Sequence, residues 1–158
     1  RGDFMNLIYK RATIDDLEFL VKTRIEVLRA ANQLENTVGM EEVERQSREY
    51  YIKALKTNMH TAYLIFDDDF FVGTGGISYY DVMPTYHNLT GQKAYIMNMY
   101  VRPDYRRMGI ATKTLDLLVK DAKDRGINSI SLEATKMGQL LYKSYGFTKM
   151  ENEMELLN

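Results

Sequence analysis

The spacing of apolar residues changes along the chain, and this change limits the fold more than any other feature of the sequence. Between residues 14 and 58 apolar side chains recur every three or four positions, as in amphipathic helices. Between residues 61 and 101 β-branched and aromatic residues dominate, as in strands. Helical spacing returns over residues 109–125, and shorter strand-like and helical stretches follow. This mixed order predicts an α/β sheet with helices on both faces.

The first helix is predicted to start after Thr13, because its hydroxyl precedes the Asp16 carboxylate by three residues, as in a capping box. The helix is expected to end near Asn32. Its apolar stripe consists of Leu17, Leu20, Val21, Ile25 and Leu28. Lys22, Arg24 and Arg29 are expected to face water on the other sides.

The other elements are predicted from the same patterns. Two further long helices are expected over Glu41–Asn58 and Gly109–Arg125, and a short one over Met137–Tyr145. Strands are expected over Leu7–Lys10, Thr61–Phe66, Phe70–Tyr80, Lys93–Val101 and Ser129–Ala134, and again from Phe147 onward. Gly73, Gly75 and Gly76 indicate a bulge or a close backbone approach in the third strand.

A chain of 158 residues without an internal repeat or a flexible linker is predicted to form one domain. We expect that domain to span residues 5–158 and the four residues before Met5 to be a remnant of cloning. No apolar stretch approaches the length that crosses a bilayer, so we expect a cytoplasmic protein without a membrane partner.

Composition excludes several kinds of chemistry. The chain has no cysteine, which rules out disulfides, thiolate metal sites and cysteine nucleophiles. Two histidines, His60 and His87, are too few for most imidazole zinc centres, so no metal site is expected. The formal charge of −1 gives no overall attraction to nucleic acid, and any anion site must be local.

The segment before the third long helix has the composition of such a local anion site. A strand ends, Arg106 and Arg107 form part of a turn, and Gly109 and Ala111 open a helix. The first amides of a helix lack internal partners and carry a partial positive charge. Small side chains let phosphate oxygens reach these amides, and the arginines add charge. Solvated arginines beside an ordinary turn glycine are the alternative explanation of the same residues.

Two motifs in this order resemble those of one enzyme family. The spacing Arg106-x-x-Gly109-x-Ala111 resembles the Arg/Gln-x-x-Gly-x-Gly/Ala signature of the GNAT superfamily of N-acetyltransferases. Downstream, the segment from Leu141 to Phe147 resembles the family's Leu-Tyr-x-x-x-Gly-Phe segment. The resemblance covers about residues 5–155 and implies the GNAT fold, a mixed twisted sheet of six or seven strands with helices on both faces.

The resemblance also implies which residues bind the cosubstrate, acetyl-coenzyme A. In the family the arginine turn holds the pyrophosphate, and the backbone of the preceding strand pairs with the pantetheine arm. By this carry-over the contacting residues are Met99, Tyr100, Val101, Arg106, Arg107, Met108, Gly109, Ile110, Ala111, Thr112 and Thr135. Thr135 stands where many relatives have Asn, so its contact is expected to be weaker while it still caps the short helix.

For catalysis, the motif assigns Tyr142 to a position near the thioester sulfur, where its phenol can give a proton to the departing thiolate. Many relatives place a glutamate base on the strand before the turn, and this sequence has Tyr95 there. Glu133 is the replacement base that we expect to act through water or to orient the amine. Asp81 and His87, in the loop after the third strand, are weaker candidates.

The function implied is transfer of an acetyl group to a primary amine of a small molecule or peptide, by direct attack in a ternary complex. A protein of this fold that binds a coenzyme A ester without turnover is one alternative, and a different acyl donor is another. The acceptor is not readable from the sequence, although Tyr79, Tyr80 and Tyr86 are candidates for its wall. A homodimer is possible by family resemblance.

Overall fold

The computed structural model describes residues 5–158, so the expected cloning remnant lies outside the described residues. Five strands form one sheet in the order β1-β2-β3-β4-β5. Neighbours from β1 to β4 are antiparallel, and β4 and β5 are parallel. The strands are β1 (Leu7–Arg11), β2 (His60–Asp67), β3 (Phe70–Asp81), β4 (Gln92–Val101) and β5 (Ile130–Leu132).

Four α-helices connect and cover the strands. They are α1 (Leu17–Asn32), α2 (Glu41–Lys56), α3 (Ile110–Asp124) and α4 (Gln139–Tyr145), with short 3-10 helices at Ile14–Asp16 and Pro103–Tyr105. The predicted capping box is present, since the Thr13 hydroxyl accepts from Asp15 N and the Asp16 carboxylate accepts from Thr13 N. No helix of the described chain is long and apolar enough to span a membrane.

The helices pack on both faces of the sheet, as predicted. On one face the stripe of α1 and the inner side of α2 enclose Leu20, Val21, Tyr51, Ala62 and Leu64. On the other face α3 encloses Ile77, Ala94, Ile96, Leu115 and Leu118. Mutual burial of these apolar surfaces is the main force that fixes both layers on the sheet.

The predicted number of strands is wrong. Within residues 5–158 the sheet has five strands and not six or seven, and the segment from Phe147 onward forms no strand. The strand expected over Ser129–Ala134 is shorter, because only Ile130–Leu132 pairs. A three-residue strand offers little hydrogen bonding to a further neighbour, and the chain after residue 148 is exposed.

A bulge interrupts β4 in the middle of the sheet. Met97 pairs with Gly76 and Tyr100 pairs with Thr74, so two residues of β4, Asn98 and Met99, lie opposite one residue of β3. Asn98 adopts a left-handed conformation with φ of 61°. The glycines of β3 signalled this irregularity, although the extra residue belongs to the partner strand.

The bulge changes which face each β4 side chain occupies. Ile96 and Met99 both pack on the α3 side, although they are three residues apart. Tyr100 packs with the α1 and α2 cluster. A Cβ at position 75 would lie 2.6 Å from Thr114 Cγ2 and 2.7 Å from Met99 Sδ, so glycine there lets α3 and the Met99 side chain pack closely over β3.

Candidate functional site

The parallel edge of β4 is open over half of its length. β5 pairs only with Ala94–Ile96, whereas β4 continues to Val101. On the β5 side, the peptide groups of residues 97–101 therefore have no strand partner in the described chain. They form an exposed row of donors and acceptors that an extended ligand can pair with.

This open edge leads into the N-terminus of α3. Gly109 is the N-cap residue with φ of 80°, and no side chain of the described residues caps the helix. The amide of Lys113 makes the first helical hydrogen bond, to Gly109 O at 3.0 Å. The amides just before it have no partner within the helix, so this end of α3 can bind an anion.

The charges around α3 differ from those of the other long helices. α1 and α2 have glutamates in their first turns, where an acid interacts favourably with the helix dipole. α3 has no acid in its first turn and is preceded by Arg106 and Arg107. Positive side chains at this end are unfavourable for the helix alone. The arrangement is therefore suited to a bound anion rather than to helix stability.

Most of the turn is available to a ligand. The side chains of Arg106, Arg107, Met108 and Thr112 are exposed, and Arg106 Nε donates to Val101 O at 3.1 Å. Ile110 is different because its side chain is buried beside Tyr105 in the core, which leaves only its backbone amide for binding. The buried Ile110 side chain therefore holds the turn in place, while the side chains of the other four residues face solvent.

Tyr142 lies on α4 and packs against the core that α3 covers. Its ring makes an edge-on contact with Phe147 at 6.1 Å between centroids, and burial raises the pKa of its phenol. Tyr142 therefore stays protonated at neutral pH and can act as a proton donor. Thr135 supports this region, since its hydroxyl accepts from the Gly138 amide, at the N-cap of α4.

Glu133, just after β5, lies against the phenol of Tyr95. The pKa of Tyr95 is raised by burial and further by the Glu133 charge and its hydrogen bond. These two residues are adjacent in space although 38 positions separate them (133 − 95). The structure therefore brings a carboxylate from the segment after β5 next to the phenol at position 95.

Residues 26–147 match the model of the Acetyltransferase (GNAT) family. The chain belongs to this family. Members are acetyltransferases, a class of acyltransferase. No curated protein matches the GNAT chain.

Solved structures share the fold. A predicted acetyltransferase from Clostridium acetobutylicum, crystallised with acetyl-CoA, is 34% identical with a TM-score of 0.87, and the match covers 96% of each chain. A GCN5-related N-acetyltransferase from Ralstonia eutropha is 23% identical with a TM-score of 0.82, covering 96% of this chain and 99% of that one. An aminoglycoside acetyltransferase from an uncultured soil metagenomic sample is 18% identical with a TM-score of 0.69, covering 96% and 95%.

The residues considered for an acceptor wall differ in exposure. Tyr79 is buried on the α3 face, where its hydroxyl donates to Asp121, so it offers little surface to an acceptor. Tyr86 and His87 are in mutual ring contact in the exposed loop between β3 and β4. Met137, the predicted first residue of the short helix, lies two residues before α4 and is 78% exposed.

A polar cluster that the sequence did not indicate lies between α2 and the sheet. Tyr50 OH lies 2.8 Å from His60 Nδ1 and 2.6 Å from Ser78 Oγ, and the Ser78 hydroxyl also reaches Met97 Sδ at 3.6 Å. His60 Nε2 is buried without a hydrogen-bond partner in the described chain. Burial and the nearby charges of Arg24 and Arg125 lower the pKa of His60 to about 4, so the imidazole is neutral at pH 7.

The expectation that Arg24 faces water is also wrong. Its Nη1 donates to Asn98 Oδ1 at 2.9 Å, so the guanidinium lies between α1 and the bulge of β4. Position 24 follows Leu20 and Val21 and precedes Val27 at helical spacing, and all three are buried. This spacing was the available signal, because it places residue 24 on the apolar stripe.

Within residues 5–158 no group of three or more acidic or imidazole side chains is arranged to hold a metal ion. Two cavities in the described residues lie away from the turn. One of about 560 Å³ is lined by residues including Arg11, Lys56 and His60, beside the end of β1 and the start of β2.

Proposed function

We propose that this GNAT domain transfers an acetyl group from acetyl-CoA to a primary amine of a small molecule or peptide in a ternary complex. The observation that carries the proposal is the open edge of β4 leading into the uncapped N-terminus of α3. Support comes from the relative with 34% identity, whose crystal structure contains acetyl-CoA.

The cosubstrate is proposed to bind along these two features. The pyrophosphate lies against the amides of residues 109–112, with charge from Arg106 and Arg107. The pantetheine arm pairs with the backbone of Met99, Tyr100 and Val101. Met108 and Thr135 complete the contacts from the turn and from the N-terminal side of α4. Side-chain identity matters little along the strand because the backbone makes the hydrogen bonds.

The reaction proposed is direct attack. The lone pair of the neutral amine forms a bond to the thioester carbon, and the carbonyl oxygen takes up negative charge near the Met99 amide. The carbon–sulfur bond then breaks, and its electron pair leaves on the thiolate, which receives a proton from Tyr142. The nitrogen loses one proton to solvent as the amide forms, and solvent returns a proton to the phenolate. The products are an N-acetyl amide and free coenzyme A. No acyl-enzyme is required, and the chain has no cysteine to form one.

The amine must first lose a proton, and Glu133 is the proposed group that accepts it through water or orients the amine. Its contact with Tyr95 places a phenol beside the carboxylate. A phenol next to a carboxylate can relay or position a proton without replacing the missing strand glutamate.

A second candidate function is binding of a coenzyme A ester without turnover, as a sensor or partner module. The observation that favours it is the absence of any Asp or Glu in β4, Gln92–Val101. A third possibility, within the enzyme class, is a short acyl donor other than acetyl.

Thiol release over a panel of amino acids, peptide amino termini, polyamines and aminoglycosides, with acetyl-CoA as donor, tests the proposal. With the best acceptor, Tyr142→Phe is expected to lower kcat about tenfold or more while leaving acetyl-CoA affinity unchanged, because only the departing thiolate loses its donor. Tyr145→Phe on the same helix is the control, since that hydroxyl donates to Asp116 at 2.8 Å instead.

Equal activity of the Tyr142 variant and the wild type would show that the phenol is a packing residue. Acetyl-CoA binding without thiol release from any amine would favour the module without turnover. Absence of acetyl-CoA binding would contradict the proposed function altogether.

A further inference from the structure

Arg24 differs from the other arginines that pack against the domain. Arg102 forms a two-pronged pair with Glu26, Arg48 pairs with Glu18, and Arg11 pairs with Asp121. Arg24 forms no ion pair with any carboxylate of the described residues, and its one recorded hydrogen bond goes to the neutral amide oxygen of Asn98. A guanidinium has five N–H donors in a planar fork, so most of this binding capacity is unused.

The position of Arg24 makes this unusual. It is half-buried on the sheet-facing stripe of α1, next to the buried Val21 and Val27. Burial lowers the pKa of its guanidinium, which means that the protein around it disfavours the charge. An apolar residue at this position is expected to pack at lower cost, because a partly desolvated charge without a counter-ion is destabilising.

The atoms around Arg24 belong to the reacting centre of the proposed function. Asn98 is the extra residue of the β4 bulge, and the next residue is Met99, whose amide is proposed to face the thioester oxygen. Adjacent Cα atoms are about 3.8 Å apart. A group bound by Arg24 therefore lies beside the segment of β4 that is proposed to hold the thioester.

Two side chains of opposite charge lie beside different positions of β4. Arg24 lies at Asn98, while Glu133 lies at Tyr95, three residues earlier on the strand. A zwitterion with an amine at one end and an acidic group at the other fits this polarity. A polyamine does not, because a second ammonium group near Arg24 would meet a like charge.

We infer that Arg24 binds an anionic group of the acceptor, so that the acceptor class is a primary amine carrying a carboxylate or phosphate a few bonds from its nitrogen. This inference rests on the proposed function and specifies its substrate. The unpaired guanidinium supplies the charge, the planar fork recognises two oxygens of the anion, and Asn98 holds the fork in place.

The test compares acceptors that differ only in the anionic group. α-Amino acids and β-alanine are each assayed beside their carboxamides, and O-phosphoethanolamine beside ethanolamine, with kcat/KM as the readout. The wild type is expected to prefer at least one anionic acceptor by about tenfold or more over its neutral counterpart, the size of one charged hydrogen-bond contact. The pair with the larger ratio identifies carboxylate or phosphate.

Arg24→Gln is expected to remove the preference by lowering kcat/KM for the anionic acceptor at least about tenfold, with the neutral counterpart within about twofold and acetyl-CoA affinity unchanged. Lys22→Gln removes the same charge from the exposed side of α1 and is expected to keep the preference. Arg24→Met is expected to raise the thermal midpoint, because it removes the unpaired charge from the stripe.

Three results would overturn the inference while acetyl-CoA binding persists. One is a preference for the anionic acceptor that Arg24→Gln and Lys22→Gln lower equally. Another is a preference of the wild type for neutral or polycationic amines. The third is unfolding of Arg24→Met, which would make Arg24 a structural residue. If thiol release is absent, the same pairs are titrated into the protein saturated with coenzyme A, and equal binding overturns the inference. Failure to bind acetyl-CoA at all is the separate failure of the proposed function.

Discussion

Each end of α3 has a glycine with a positive φ, but the two ends differ in whether their free backbone groups are hydrogen-bonded. Gly109 before the helix has φ of 80° and Gly126 after it has φ of 77°. After Gly126 the chain folds back, with Gly126 N donating to Lys123 O and Ile127 N donating to Ala122 O, the two bonds of a Schellman motif. Before Gly109 no side chain of the described residues turns back to the amides.

The charged side chains at the two ends of α3 also differ in whether they have partners. At the C-terminal end Asp121 accepts from Arg11 and Thr61 at 2.8 Å each and from Tyr79, and it also pairs with Arg125. At the N-terminal end the arginines have no acidic partner in the described chain. One end of the helix is therefore fully paired within the protein, whereas the amides at the other end have no side-chain cap from the described residues.

The largest expected effect separates the two glycines. Gly109→Glu is expected to weaken acetyl-CoA binding at least about a hundredfold, because the new carboxylate lies where the phosphates bind. Gly126→Glu is the matched control, since added atoms at both positions meet open space and both carry a positive φ. Calorimetric titration measures both affinities, and equal affinities would remove the pyrophosphate from the N-terminus of α3.

The free energy of unfolding is expected to depend on the C-terminal end of α3, where Asp121 lies. Asp121→Asn is expected to lower the free energy of unfolding by about 2 to 4 kcal/mol, because buried donors lose a charged acceptor. Asp124→Asn, whose partner Lys120 is exposed, is expected to change it by less than about 0.5 kcal/mol. Denaturant unfolding measures both, and the Asp121 variant is expected to keep wild-type acetyl-CoA affinity below its melting range.

The pH dependence of stability extends the comparison to His60, whose pKa Arg125 helps to lower. Burial, Arg24 and Arg125 lower that pKa from 6.5 to about 4, while Tyr50 and Ser78 contact the ring nitrogen. Between these values the unfolded chain binds a proton that the folded chain does not, so stability present above pH 6.5 is lost as the pH falls toward 4.

From pH 7.5 to pH 5 this loss amounts to about 2 kcal/mol in the free energy of unfolding. His60→Gln is expected to flatten the profile in this window. His87→Gln, at the exposed histidine, is expected to leave the profile unchanged. A wild-type profile without a slope between pH 6.5 and pH 4 would show that His60 takes up its proton in the folded state as well.

The smallest effect concerns a single exposed arginine of the turn. Arg106→Gln is expected to weaken acetyl-CoA binding about three- to tenfold and to reduce its dependence on salt, because one solvent-exposed contact to phosphate is lost. Lys120→Gln, near the other end of α3, removes the same charge and is expected to change neither quantity.

Local rules predicted the parts of the fold that depend on neighbouring residues. The capping box at Thr13 and the end of the third long helix near Arg125 rest on contacts within a few residues, and both were readable. The motifs for the turn and for Tyr142 were also readable, because they are contiguous. Their proposed roles remain predictions.

Features that depend on distant partners were not readable. The glycines of β3 indicated an irregularity here, but no local signal in β4 placed the extra residue at Asn98 on that strand. Tyr79 was placed by its loop rather than by the face it occupies, where Asp121 holds its hydroxyl. Arg24 was assigned to solvent by its charge, although its spacing with Val21 and Val27 placed it on the buried stripe. Charge alone was the wrong criterion there.

The extra residue at position 98 changes the alternation of side chains along β4. Ile96 and Met99 both point toward α3 only because one residue between them does not take part in the alternation. Deleting Asn98 would restore regular alternation, with Met99 two residues from Ile96 and still toward α3, but it would remove the amide oxygen that accepts from Arg24. We therefore expect this deletion to keep the α3 layer packed and to leave the Arg24 guanidinium without its side-chain partner.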